Sequence, residues 1–184
     1  MTLLIWILIG AIALIVLTAL YYFNRFVVLD NRIKNSSAQI DVQLKKRADL
    51  VPSLVKVVQS FAKHEKSIMD SVTKARAEML KSGNIQEKIK AGDKLQDALK
   101  SIFAIAENYP QLQSNQNFLH LQKELSAIED KVAYARQYYN DSILELENTS
   151  QQLPGVLFFR LYGKKSKDYL KITETERAMP NIDL

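Results

Sequence analysis

The chain has no cysteine. That excludes disulfides, thiolate zinc sites, a cysteine nucleophile and a lipid-bearing cysteine. Histidine is scarce: His64 and His120 are the only 2, too few for a histidine-rich metal centre. Gly (5) and Pro (4) are also few among 184 residues. A β-sandwich or barrel needs many more turn residues than this. None of the glycines stands in a dinucleotide or Walker-type phosphate loop, and no GxSxG marks an esterase-like nucleophile. His64-Glu65 lacks the second histidine that a zinc-protease helix carries four residues on, where Ile68 stands. The Glu-x-x-His pairs of dimetal bundles are missing too, because Phe61 and Asn117 precede the two histidines by three. The residues thus point away from an enzyme and imply no cofactor or metal.

Charge is absent from Leu3 to Phe23, which reads LLIWILIGAIALIVLTALYYF. As a helix this run spans about 30 Å, the hydrocarbon thickness of a bilayer. Trp6 and Tyr21-Tyr22 stand where interface anchors belong. A cleaved signal peptide would carry a basic residue before the run and small residues after it. Neither is present, so an uncleaved anchor at 1–23 is expected. The basic flank Arg25, Arg32, Lys34, Lys45, Lys46 and Arg47 follows the run. The positive-inside rule then predicts an outside N-terminus and a cytoplasmic remainder. The net charge of +5 is dispersed among acidic residues, so nucleic acid is not an expected partner. No small-xxx-small pair surrounds Gly10 or Ala11, which leaves homo-oligomerisation open.

The rest reads as helices. Asn24 to about Asp49 carries a thin stripe of Leu29, Ile33, Ile40 and Leu44. Pro52 lacks an amide donor and disfavours helical backbone at Val51, so a helix end or sharp kink is expected there, with Asp49 as the next cap. From Pro52 to Ser82, Leu54, Val58, Phe61, Ile68, Val72, Ala75 and Met79 make a seam if Glu65 fills the missing place. Such a glutamate ordinarily sits at the seam edge against a Lys or Arg; the alternative is a functional buried acid. Gly83-Asn84, Tyr109-Pro110 and Leu153-Pro154-Gly155 punctuate two further amphipathic stretches, Ile85 to about Asn108 and Asn115 to about Thr149. The expected fold is all-α, an antiparallel four-helix bundle over 24–153 with an N-terminal transmembrane helix. Residues 154–184 form a tail.

Two segments are candidate sites. The polar run around Asn35, Gln39, Asp41, Gln43 and Lys45 is a solvated face or a partner-binding one. In the tail, Phe158, Phe159, Arg160 and Tyr162 are followed by Lys164, Lys165 and Lys167. If Pro52 reverses the chain, alternating helix directions return the tail to the membrane. There its aromatic and basic residues suit an anionic surface, or the apolar patch caps the bundle.

Blocks along the chain resemble the LemA family. They are NRIKN at 31–35, AQIDVQLKKR at 38–47, DLVPSLV at 49–55, AKHEK at 62–66 and TKAR at 73–76. NYPQL at 108–112, LQKEL at 121–125, ARQYYN at 135–140 and LPG at 153–155 continue the pattern. Ser37 departs from it, standing where the family usually has an aromatic residue, and the tail is not Gly- and Phe-rich. The resemblance implies a bacterial single-pass membrane protein with a four-helix bundle, and it carries no catalytic residue, cofactor or substrate. A membrane scaffold or adaptor with a protein partner is the expected function. An enzyme or metal protein using His64, Glu65 or other acids of the bundle is the alternative.

Overall fold

One helix of 60 residues, α1 (Thr2–Phe61), carries the uncharged run and the polar stretch after it without a break. The computed structural model describes residues 1–163 and 165–170. Five further helices follow: α2 (Lys66–Lys81), α3 (Ile85–Ala106), a four-residue α4 (Pro110–Gln113), α5 (Gln116–Gln151) and α6 (Gly155–Leu161). No strand occurs among the described residues.

Pro52 therefore does not end or cap a helix; it lies inside α1. A proline in a helix interior orphans the carbonyl four residues earlier, here that of Ala48. Ala48 is fully buried, so that carbonyl needs a partner. Arg76 on α2 supplies it, its Nε donating to Ala48 O at 2.8 Å. Asp49, the expected cap, sits mid-helix and pairs with Lys45 one turn away. The chain turns instead at 62–65, a segment with neither glycine nor proline, where the Glu65 amide donates to Ala62 O at 3.2 Å. Glu65 is consequently not a seam residue but the residue preceding α2.

Other boundaries follow local chemistry. Asn84 caps α3, accepting from the Glu87 amide at 2.9 Å, while the Glu87 carboxylate accepts from the Gly83 amide at 3.2 Å. Asn115 does the same for α5, its side-chain oxygen accepting from the amides of Asn117 and Phe118 at 3.0 and 3.1 Å. Proline at the first position of α4 suits a helix start, where its missing donor costs nothing.

The chain divides into two compact units, one formed by Met1–Ser36 with Gln137–Tyr169 and the other built on Ser37–Arg136. In the first, Phe26, Leu29 and Ile33 of α1 are buried, as are Tyr139, Ile143 and Leu146 of α5. Ser36, Ser142 and Ser150 are buried polar residues of this unit. Each hydroxyl donates to a carbonyl of its own helix, at 2.6, 2.7 and 2.9 Å, so small polar side chains occupy core positions without an unmade hydrogen bond. Ser142 is thus a core residue on α5, where the apolar rhythm breaks.

In the second unit, α1 contributes Ile40, Leu44, Val51, Leu54 and Val58, with Met69, Val72 and Met79 from α2. Leu95, Leu99 and Ile102 of α3 and Phe118, Leu125, Ile128 and Val132 of α5 are also buried. Phe103 and Phe118 meet edge to face at 6.0 Å. Gly92 lies where α3 reaches α1: a Cβ there would sit 2.7 Å from a Leu44 methyl, so the missing side chain permits the approach.

Candidate functional site

The polar run on α1 does not present one face. At about 100° per residue, Asn35, Gln39 and Gln43 fall on one flank of the buried stripe and Asp41 and Lys45 on the other. Asn35 and Gln39 are exposed, and Gln43 is half-buried with its Oε1 sealed from solvent. Asp41 is held by Lys88 of α3 at 2.6 Å, and Lys45 by Asp49. The carboxamide flank is therefore the part of the run left uncommitted to ion pairs, while the acid–base flank is engaged within its own unit.

Arg47, a member of the basic flank, is just 3 % exposed. One guanidinium nitrogen lies 3.4 Å from the Gly92 carbonyl. Burial pulls the guanidinium below its usual range, and the Glu129 and Asp93 carboxylates work against that shift. Asp93 also accepts from Arg136 at 3.3 Å. The signal was present: Arg47 stands seven residues from both Ile40 and Leu54, two turns along the same buried stripe. A buried cation of this kind is weak evidence for stability, because the cost of taking it out of water offsets its attraction to the carboxylates.

His64 is exposed in the 62–65 connection. Its neighbour Glu65 is half-buried and accepts from the Tyr109 hydroxyl at 3.2 Å, a contact that ties the connection to the start of α4. Among the described residues, no three histidine, aspartate or glutamate side chains are gathered as a metal would need.

The tail residues separate into two groups. Phe158, Phe159 and Tyr162 face α1, whereas Arg160 and Lys165 are exposed. Phe158 stacks on Tyr22 with ring centroids 5.5 Å apart, and Phe159 meets Phe26 at 5.3 Å. Tyr162 packs edge-on against Phe23 at 5.4 Å, and its hydroxyl donates to the Ala19 carbonyl at 2.7 Å. Gly155 makes the approach possible, since a Cβ there would lie 2.1 Å from Thr149 O and 3.0 Å from the Tyr22 ring. Lys167 lies 3.3 Å from Asp30. Lys164 falls outside the described residues.

Beside this packing lies a charged layer. Glu145 of α5 receives both Arg25 and Arg32 of α1, the latter at 2.9 Å. Asp30 is paired with Lys34 at 2.8 Å; that hydrogen bond, with Lys167, holds the Asp30 carboxyl below its usual value. Leu3 to Leu17, by contrast, are exposed throughout, and α1 is the one described helix long and apolar enough to cross a membrane.

A family model described as the LemA family matches residues 36–184. The magnetosome protein MamQ of Magnetospirillum gryphiswaldense is 25 % identical over 178 residues, covering 83 % of this chain and 65 % of its own length. Magnetosome proteins MamQ 1 and MamQ 2 of Paramagnetospirillum magneticum are each 26 % identical over 149 residues, covering 67 % of this chain. The chain spans 55 % of the length of each of those two relatives.

Proposed function

The chain belongs to the LemA family, and from that premise we propose that it is a non-catalytic scaffold or adaptor anchored in a bacterial cell membrane. Residues 3–23 cross the bilayer once, with the N-terminus outside and the helical domain in the cytoplasm, following the basic flank. In this reading, the end of α1 with α2, α3 and α5 is an antiparallel four-helix bundle. The relatives are magnetosome proteins, which supports an association with a membrane. The observation that carries the proposal is the continuity of α1, which joins an uncharged, exposed stretch directly to the buried stripe of the helical domain. A helix shared in this way holds a protein-binding surface at a set place beside the bilayer.

The partner surface is assigned to the Ser37–Arg136 unit, with Gln39 of the carboxamide flank and the exposed Tyr134 of α5 as its contacts. Exposed tyrosine suits a protein partner, and a net charge of +5 dispersed among acidic residues does not favour nucleic acid. Photocrosslinking residues placed singly at Gln39, Tyr134 and, as a control, Lys123 test this in cells. A discrete heavier adduct at Gln39 or Tyr134 and none at Lys123 is expected. Equal or no adducts at all three would reject the surface. Stoichiometric metal in protein purified without chelator would favour chemistry at His64 or Glu65 instead.

A further inference from the structure

Three layers succeed one another where α6 docks on α1. Toward the N-terminus lies apolar surface, with Leu17 and Leu20 64 % and 55 % exposed. Next comes the aromatic collar that α6 completes: Tyr22, Phe23 and Phe26 of α1 against Phe158, Phe159 and Tyr162. Then come the ion pairs of Arg25, Arg32 and Asp30. This order of hydrocarbon, aromatic belt and charge is that of a membrane boundary.

The inward side of α6 is consumed by the collar, but its outward side is apolar as well. Leu157 and Leu161, one turn apart, are 63 % and 73 % exposed, and Leu153 just before the helix is 78 % exposed. In water, a pair of exposed leucines one turn apart, with a third just before the helix, would be a liability. Tyr162 fixes their level by its bond to the Ala19 carbonyl, four residues before the uncharged run ends at Phe23. We propose that α6 is an interfacial helix whose partner is the lipid bilayer, with Leu153, Leu157 and Leu161 inserted at the boundary between headgroups and acyl chains and Arg160 and Lys165 facing lipid phosphate. The aromatic residues of the tail act as its dock on α1, and the leucines are its lipid contact. Continuity with the exposed apolar surface of α1 favours lipid over a protein partner. A second consequence follows: α6 gives the anchor a collar that resists sliding along the membrane normal.

The inference rests on the reading that residues 3–23 span the bilayer, and the test separates the two. Trp6 is the single tryptophan. Full-length protein is reconstituted in vesicles of phosphatidylcholine and phosphatidylglycerol that carry quenching labels either at a shallow acyl position or near the acyl terminus. Quenching of Trp6 in the unaltered chain reports the anchor. In a Trp6→Phe background, Leu157→Trp and Leu161→Trp report α6, and Leu144→Trp, exposed on α5 in the same unit, is the control. Insertion by about 5–10 Å should quench the α6 reporters roughly twofold or more with the shallow label, less with the deep one, and leave the control unaffected. Quenching at the control level in both α6 reporters, with Trp6 quenched, would overturn the proposal and leave the anchor standing. Blue-shifted but unquenched emission would show the patch buried against protein, within the chain or on a second copy, and equally overturn it. Stronger quenching by the deep label would place α6 in the hydrocarbon rather than at its boundary. Loss of Trp6 quenching as well would remove the anchor reading itself.

Discussion

Replacing Arg76 by Met removes the donor that serves the Ala48 carbonyl orphaned by Pro52. The methionine keeps an unbranched apolar stem, so the loss is chiefly the hydrogen bond. Ala48 is fully buried and water cannot replace the donor. An unsatisfied buried carbonyl costs about 1–3 kcal/mol. The complementary change, Pro52→Ala, restores an amide four residues after Ala48. Proline costs about 3 kcal/mol in a helix interior relative to alanine, and the freer unfolded chain takes back about 0.4–1 kcal/mol. Pro52→Ala should therefore stabilise the protein by about 2 kcal/mol. With Ala at 52, Ala48 has its own helical donor, and Arg76→Met should cost less than about 1 kcal/mol. The two sites should then couple by about 1–2 kcal/mol, within the range seen for residues sharing one hydrogen-bond network. Urea unfolding of the four full-length proteins in detergent, followed by far-ultraviolet circular dichroism, measures the cycle. If Arg76→Met costs the same in both backgrounds to within about 0.5 kcal/mol, the explanation of the unbroken helix is wrong.

Leu125→Ala and Ile128→Ala remove side chains that are 3 % and 5 % exposed on α5, and each should destabilise the Ser37–Arg136 unit by about 2–5 kcal/mol; an unchanged urea midpoint would contradict the packing. Gly155→Ala puts a methyl against Thr149 O and should cost about 1–3 kcal/mol, read as faster tryptic cleavage at Arg160; unaltered cleavage would speak against the docking of α6. Asp30 has a folded pKa below the ordinary 3.8, so its pairing with Lys34 and Lys167 stabilises the fold above that pH and is lost as pH falls through the folded value. The stability difference between the natural chain and Asp30→Asn should vanish in acid; a difference that persists there would show that the pairing is not its source.

Much of the fold is legible in the sequence because periodicity reports burial. Phe118, Leu121, Leu125, Ile128 and Val132 keep a three-four rhythm and are all buried on α5. The expected starts near Ile85 and Asn115 hold as well, and the structure adds their cause: Asn84 and Asn115 cap α3 and α5. What is not legible depends on partners distant in the chain. Pro52 reads as a break until Arg76, on another helix, is known to reach Ala48. The turn at 62–65 has no breaker residue, and an unbroken seam through Glu65 is the natural reading without it. The division of the tail into docking aromatics and outward leucines needs the position of Tyr22 and Phe26 relative to α6. Arg47 is the exception: its spacing from Ile40 and Leu54 marks it as buried, while its charge alone groups it with the basic flank of the anchor.

The central claim is that the uncharged start of α1 crosses a bilayer as part of the helix on which the protein is built. The natural absence of cysteine allows a direct test. Single cysteines placed at each position from 3 to 17, where α1 is exposed throughout, and spin-labelled in reconstituted full-length protein, report collisions with oxygen and with a water-soluble nickel chelate. The account predicts that oxygen collisions rise smoothly toward the middle of the stretch and fall at both ends, with nickel collisions the reverse. A profile that instead oscillates with the helical period, or that stays accessible to nickel throughout, would contradict it.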